Sequence, residues 1–253
     1  MDIEYRLDGP ADAPLLVLSN SLGTAFEMWR PQLPALSERF RVLRYNPRGH
    51  GATPLPTAPL RLDTLGNDVI ALLDHLDAPV AHFCGISMGG LTGLWLNRYH
   101  PQRIGRLVVA NTAARIGSAE GWQQRAQQVR ERGLAPIAAA SPARWFSEAF
   151  VQRHPEQVAP LVAALAAGNP QGYAACCDAL AQADLRAETA AMSRPMRVIA
   201  GEWDPVTTVA DAEFLVANAP HAELQRLPAS HISNIACPEL FNRSVVGFLT
   251  EKE

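Results

Sequence analysis

The chain has 253 residues, 48% of them hydrophobic and 19% charged, with a formal net charge of -3; this balance suits one sizeable globular core and excludes a disordered chain. No long basic run offers a footprint for nucleic acid, and no apolar stretch reaches the length of a membrane span. The four cysteines, Cys84, Cys176, Cys177 and Cys237, show neither C-x-x-C pairing nor a disulfide framework, which points to reduced, mostly buried thiols in a cytoplasmic protein with no structural metal.

The opening "MDIEYRLDGPADAP" has neither a basic nor an apolar segment of the signal-peptide kind. "LLVLS" (15–19), "RVLRY" (41–45), "VAHFC" (80–84), "RLVVA" (106–110) and "MRVIA" (196–200) are short apolar runs that read as buried parallel strands. Between them lie stretches of helical period. Leu62, Leu65, Val69, Leu72, Leu73 and Leu76 form one apolar stripe, and Leu91, Leu94 and Trp95 begin another. Strands alternating with helices predict a mostly parallel sheet covered on both faces. The region 118–190 breaks the alternation, because it is Ala- and Gln-rich, helical in pattern and without a convincing strand. It is read as a helical cap inserted before the last two strands, with 1–117 and 191–253 forming the core. A cap there would cover the carboxyl ends of the strands, where open sheets of this kind bind ligands; the alternative is a helical subdomain with only a packing role.

"GISMG" (85–89) fits G-x-S-x-G, and it has the strand before it and the helix after it that a nucleophile elbow requires. Ser87 is therefore the candidate nucleophile, and Cys84, inside the apolar run, is read as packing. A serine hydroxyl needs a general base, and the base needs an orienting group. His75, His82 and His100 lie within or at the ends of elements, His154 sits in the insertion, and His221 precedes the run "AELQRL". His231 follows that run, at the same edge as the elbow, and is taken as the base. Asp204, in the turn after "MRVIAGEW", is the preferred acid, with Glu202 as the backup and a turn or capping role as the alternative. The order Ser87, Asp204, His231 is that of an alpha/beta hydrolase. The backbone amides of Met88 and of Leu22, in the loop "LSNSLGTAFEMW", are the expected oxyanion donors.

Together, "LSNSLGTAFEMWRPQLPAL", "FRVLRYNPRGHGAT", "GISMGG", "NTAARIG", "GYAACCDAL" followed by "DLR", and "ASHISNIACP" resemble the bacterial 3-oxoadipate enol-lactonases from about residue 3 to 250. "RGHG" and G-x-S-x-G belong to the whole superfamily; "SNSLGT", "ANTAARIG" and "SHISN" are the specific part. The resemblance implies the alpha/beta-hydrolase fold, hydrolysis of 3-oxoadipate enol-lactone in aromatic-acid breakdown, and Ser87, Asp204 and His231 as its triad, with no cofactor. Members usually carry an aspartate where this chain has Asn46, in what reads as a structural loop, so the change bears on local stability more than on chemistry. A substrate with a carboxylate calls for a cation in the pocket, and Arg115 is the candidate, with a solvated surface role as its alternative. Trp29, Trp122 and Trp145 are candidates for the pocket walls, with a core role as the alternative for each. A general carboxylesterase or cofactor-free perhydrolase would keep the same triad, and a non-catalytic small-molecule-binding protein could keep the same fold.

Overall fold

In the computed structural model, which describes residues 2–251, seven strands form one sheet in the order β1-β3-β2-β4-β5-β6-β7. They are β1 (Tyr5–Asp8), β2 (Leu15–Ser19), β3 (Arg41–Tyr45), β4 (Ala81–Ile86), β5 (Ile104–Ala110), β6 (Met196–Gly201) and β7 (Ala222–Leu227). All neighbours pair in parallel except β1, which runs antiparallel to β3. The helices are α1 (Leu33–Leu36), α2 (Leu62–His75), α3 (Met88–Tyr99), α4 (Ala119–Arg132), α5 (Ala135–Trp145), α6 (Glu148–Arg153), α7 (Pro155–Ala166), α8 (Pro170–Gln182), α9 (Val209–Asn218), α10 (Ser233–Ala236) and α11 (Pro238–Leu249).

The central strands are apolar along their whole length because both faces are covered: every residue of β2 is buried, as is nearly all of β4. The stripe expected on α2 faces inward, with Leu62, Leu65, Val69, Leu72 and Leu73 all buried. Five helices, α4 to α8, intervene between β5 and β6, with no strand among them. Their starts are written locally: Ser118 Oγ accepts from the Gly121 amide, and Asn169 Oδ1 accepts from the amides of Gln171 and Gly172, ahead of Pro170. Helix α8 meets the sheet domain at one point of unusually close approach. A Cβ on Gly172 would lie 2.1 Å from the Gly49 carbonyl oxygen, and Gly49 itself has φ +75°; no larger residue fits at that crossing.

The strand order reverses between β2 and β4, and a crevice opens there beyond their carboxyl ends. Register sets what faces it. Ser19 pairs with Gly85, so the loop leaving β2 and the turn leaving β4 emerge side by side. Gly201 pairs with Leu227, which brings the loops after β6 and β7 to the same edge.

Asn46 is the departure from the expected aspartate, and its surroundings use the amide. Its Nδ2 donates to Glu4 Oε2 at 2.7 Å, and its Oδ1 accepts from the Phe26 amide at 2.8 Å. Glu4 also accepts from the Ala52 amide, so the buried amide of Asn46 joins three segments.

Candidate active site

Ser87 stands between β4 and α3 with φ 57° and ψ -118°, a conformation that side-chain-bearing residues rarely adopt. The strained turn is held from several directions. The Ser87 amide donates to the Ala110 carbonyl at 2.9 Å, and its carbonyl accepts from Thr112 Oγ1 at 2.8 Å and from the Leu91 amide at 2.9 Å. Its two glycines are steric necessities. A Cβ on Gly85 would lie 2.3 Å from the Gly89 carbonyl oxygen, and one on Gly89 would lie 2.2 Å from that of Ser19.

His231 and Asp204 arrive from the loops after β7 and β6 as a buried pair, with His231 Nδ1 2.8 Å from Asp204 Oδ2. The carboxylate is densely served. Oδ1 accepts from the Val206 amide at 2.8 Å and the Thr207 amide at 3.1 Å, and Oδ2 also accepts from Thr207 Oγ1 at 2.8 Å and Asn111 Nδ2 at 3.0 Å. Burial pushes the Asp204 carboxyl up, but the His231 bond and charge, with the Val206 and Asn111 donors, outweigh it and hold the group below the usual carboxylate range. An ionised carboxylate only accepts, so His231 Nδ1 carries the proton and Nε2 is left as an acceptor. Glu202, the backup acid, is exposed.

Ser87 and His231 line the same cavity, together with Leu22, Trp122, Trp145 and Tyr173. Among the described residues no hydrogen bond joins Ser87 to His231 in this conformation. The amides of Leu22 and Met88 likewise have no acceptor among them. Met88 is the first residue of α3, so its amide and the positive end of the helix dipole lie directly behind the serine.

The free space beside Ser87 is small, about 30 Å³. It abuts a cleft of about 410 Å³, and the two share Trp122, Arg125, Arg144 and Val206 as walls. Trp122 lines both, and Trp145 lines the space beside Ser87. Trp29 does not: it is wholly buried, packs against Phe241, and donates from Nε1 to Asn20 Oδ1 at 2.9 Å. Asn20 in turn accepts the Gly89 amide through its carbonyl at 3.0 Å, so Trp29 braces the elbow from behind.

Arg115 also lies elsewhere. It lines neither cavity nor cleft, and its Nη1 is 3.9 Å from Asp184 Oδ2. The cations at the site are Arg125 and Arg144. Arg125 lies over the Trp122 ring and donates to the Tyr173 hydroxyl at 3.4 Å, whereas Arg144 has no ion-pair or hydrogen-bond partner among the described residues. The sequence marks both only as residues of the 118–190 insertion.

Asn111 was missed as well. It directly follows β5 with φ 47°, inside the segment "ANTAARIG". Its Nδ2 also donates to the Ser230 carbonyl at 3.0 Å, and its Oδ1 accepts from Ser233 Oγ at 2.6 Å, so it grips both sides of His231. Asn234 completes the segment "SHISN" by donating to the Met28 carbonyl and to Gln32 Oε1, both at 2.9 Å. The only signal for these roles was the specificity of the two segments themselves.

The pattern of the alpha/beta hydrolase fold matches residues 14–236. The chain is 52% identical to 3-oxoadipate enol-lactonase 2 of Acinetobacter baylyi, over 96% of this chain and 91% of that protein. It is 43% identical to 3-oxoadipate enol-lactonase 1 of the same organism, over 98% and 92%. The crystal structure of the enol-lactonase from Burkholderia xenovorans LB400 superposes with a TM-score of 0.96 at 44% identity, covering 98% of this chain and 96% of that one. With the strained serine turn and the buried His–Asp pair beside it, these likenesses carry one conclusion: the chain belongs to the alpha/beta hydrolase family, among the 3-oxoadipate enol-lactonases.

Proposed function

We propose that the protein is a serine hydrolase that opens the ring of 3-oxoadipate enol-lactone to give 3-oxoadipate, in the bacterial breakdown of aromatic acids, with Ser87, His231 and Asp204 as its catalytic triad. The observation that carries the reading is the 2.8 Å His231–Asp204 bond beside the cavity onto which the Ser87 turn opens. His231 Nε2 takes the proton as Ser87 Oγ attacks the lactone carbonyl. Asp204 fixes the imidazole tautomer and stabilises the cation, and the Leu22 and Met88 amides receive the oxyanion. The ring C–O bond then breaks, the enolate oxygen takes the proton from His231, and the enol relaxes to the ketone. Water, deprotonated by His231, attacks the acyl-enzyme and releases the second carboxylate together with Ser87. No step calls on a cofactor.

Arg144 takes the place proposed from sequence for Arg115, as the cation that receives the substrate carboxylate. It borders both cleft and cavity and is uncommitted to any acid, whereas Arg125 is occupied with Trp122 and Tyr173. The helices of 118–190 act as a cap. The space beside Ser87 adjoins the cleft of about 410 Å³ through shared walls, so the lactone enters from the cleft. Four free cysteines, three of them buried, support a cytoplasmic setting, and no helix among the described residues is long and apolar enough to cross a membrane.

The test follows the ultraviolet absorbance of the enol-lactone with wild type and Ser87→Ala. Rapid loss with wild type and a fall of at least about 10³-fold in the variant are expected. Equal rates would remove the catalytic reading, and much faster turnover of simple aryl esters than of the lactone would replace the substrate.

A further inference from the structure

The segment "RGHG" takes no part in the reaction as described, yet its histidine touches the loop that carries one of the oxyanion donors. His50 is buried, with its Nε2 3.0 Å from the Gly23 amide nitrogen and its Nδ1 3.3 Å from the Arg48 carbonyl oxygen. A backbone N–H only donates and a carbonyl only accepts, so these contacts define a neutral ring with its proton on Nδ1. Burial also pushes the imidazole below its ordinary value.

Gly23 is the third residue of a turn. The Thr24 amide donates to the Ser21 carbonyl at 3.2 Å, Gly23 has φ +79°, and Leu22 is not among the positive-φ residues; these features make a type II turn with Leu22 and Gly23 at its centre. In such a turn the peptide between the two central residues is the one that can rotate, since the type I alternative differs mainly in its orientation. The N–H of that peptide is the group His50 accepts. On the neighbouring peptide, the Ser21 carbonyl is held by the Thr24 amide and by Thr24 Oγ1 at 2.7 Å, which directs the Leu22 N–H to the opposite side. Leu22 lines the cavity with Ser87. The ring is anchored in turn, because Arg48 makes a two-pronged pair with Asp68 of α2 at 2.9 and 2.8 Å.

We propose that His50 is a positioning residue: its neutral Nε2, by accepting the Gly23 N–H, locks the 21–24 turn in place against the Arg48–His50 segment and so holds the Leu22 amide where the oxyanion forms. This rests on the reading of Leu22 as an oxyanion donor. The lock acts on the transition state and not on ground-state binding, because the oxyanion exists only after attack. Displacing a catalytic donor by about an ångström costs on the order of 10²-fold in rate.

The experiment compares His50→Leu, which removes the acceptor, with His50→Gln, whose side-chain oxygen can reach the same amide. His50→Leu is expected to lower kcat by about 10- to 100-fold with KM within about threefold, and to weaken phenylboronic acid, which forms a tetrahedral adduct on the serine, by a similar factor. His50→Gln is expected to recover most of both losses, which a merely space-filling histidine would not require. In the wild type, ¹⁵N resonances of labelled histidine, assigned by their loss in His50→Gln, should show a proton on Nδ1 and none on Nε2. A proton on Nε2, wild-type kcat in a folded His50→Leu, or equal losses in both variants would overturn the proposal. Should Ser87→Ala retain full activity, the catalytic reading would fail while the tautomer measurement still stood, so the two failures are distinguishable.

Discussion

Asn111 Nδ2 lies 3.0 Å from Asp204 Oδ2, so the carboxylate bonded to His231 is itself held by a donor from the loop after β5. The same amide reaches the Ser230 carbonyl and Ser233 Oγ on either side of the base. Asn111→Ala should therefore lower kcat/KM by about 10- to 100-fold, the value of a hydrogen bond to a charged group. It should also lower the thermal midpoint by several degrees, since buried partners are left unpaired. Steady-state kinetics beside a calorimetric scan separate the two effects; unchanged kinetics would show that the other three donors and His231 suffice for Asp204.

Arg144 is expected to govern affinity for the acid-bearing substrate alone. Arg144→Gln should raise KM for the enol-lactone by about tenfold or more, from the loss of a charge-assisted bond, and leave p-nitrophenyl acetate within about twofold. Arg115→Ala should change neither, because that guanidinium faces Asp184 outside the cavity. A matched effect of Arg144→Gln on both substrates would assign it to packing.

Asn46→Asp installs the aspartate that the family resemblance leads one to expect here, and it should destabilise this chain. It replaces the donor 2.7 Å from Glu4 Oε2 with a second carboxylate. A loss of about 1–3 kcal/mol is expected at neutral pH, measured by urea unfolding, and Asn46→Asp combined with Glu4→Gln should recover most of it. Equal stability of the single variant and wild type would show that the loop relaxes around the charge.

Acid should act on stability in two windows. His50 has a depressed value in the folded state, so below about pH 6.5, the ordinary histidine value, the unfolded chain binds a proton that the native state refuses. Stability is complete above that point and falls with pH at up to about 1.4 kcal/mol per unit until the folded value is reached. Asp204 is depressed relative to 3.8, so its contribution is present above that value and disappears as pH drops through the lower folded one. Urea midpoints from pH 8 to 3 should show both, and His50→Gln should flatten the upper window by about one proton. An unchanged slope in that variant would place the proton uptake on another group, with His82, also depressed by burial, the first to examine.

The strands of the central sheet were plain in the sequence because double-sided burial leaves unbroken apolar runs; those predicted at 15–19 and 41–45 match β2 and β3. Strand β1 was not legible, since Tyr5–Asp8 is a partly exposed edge whose identity comes only from pairing with β3. Ser87, Asp204 and His231, which the structure brings to one edge of the sheet, could be singled out because each follows a strand and register leaves few places for a loop to emerge. The cations lining the cavity could not be. Which face of α4 or α5 meets the cleft is decided by tertiary packing, and neither Arg125 nor Arg144 stands out in a helix also bearing Arg130 and Arg132 or in an alanine-rich one. His50 lay in plain view within "RGHG", but its partner sits 27 residues earlier in a turn that no local pattern connects to it.

The crossing of Gly49 and Gly172 has a consequence for how a molecule gets in. With no side chain on either residue, the start of α8 is riveted to the sheet domain, and α4, which packs along α8, shares that anchorage. The cleft is lined by Trp122 and Arg125 of α4 and by Arg144 of α5. Arg144 precedes Trp145, whose carbonyl accepts the Ile232 amide next to His231, so a molecule entering there passes between a wall fixed by two bare glycines and one fastened by a backbone bond to the His231 loop.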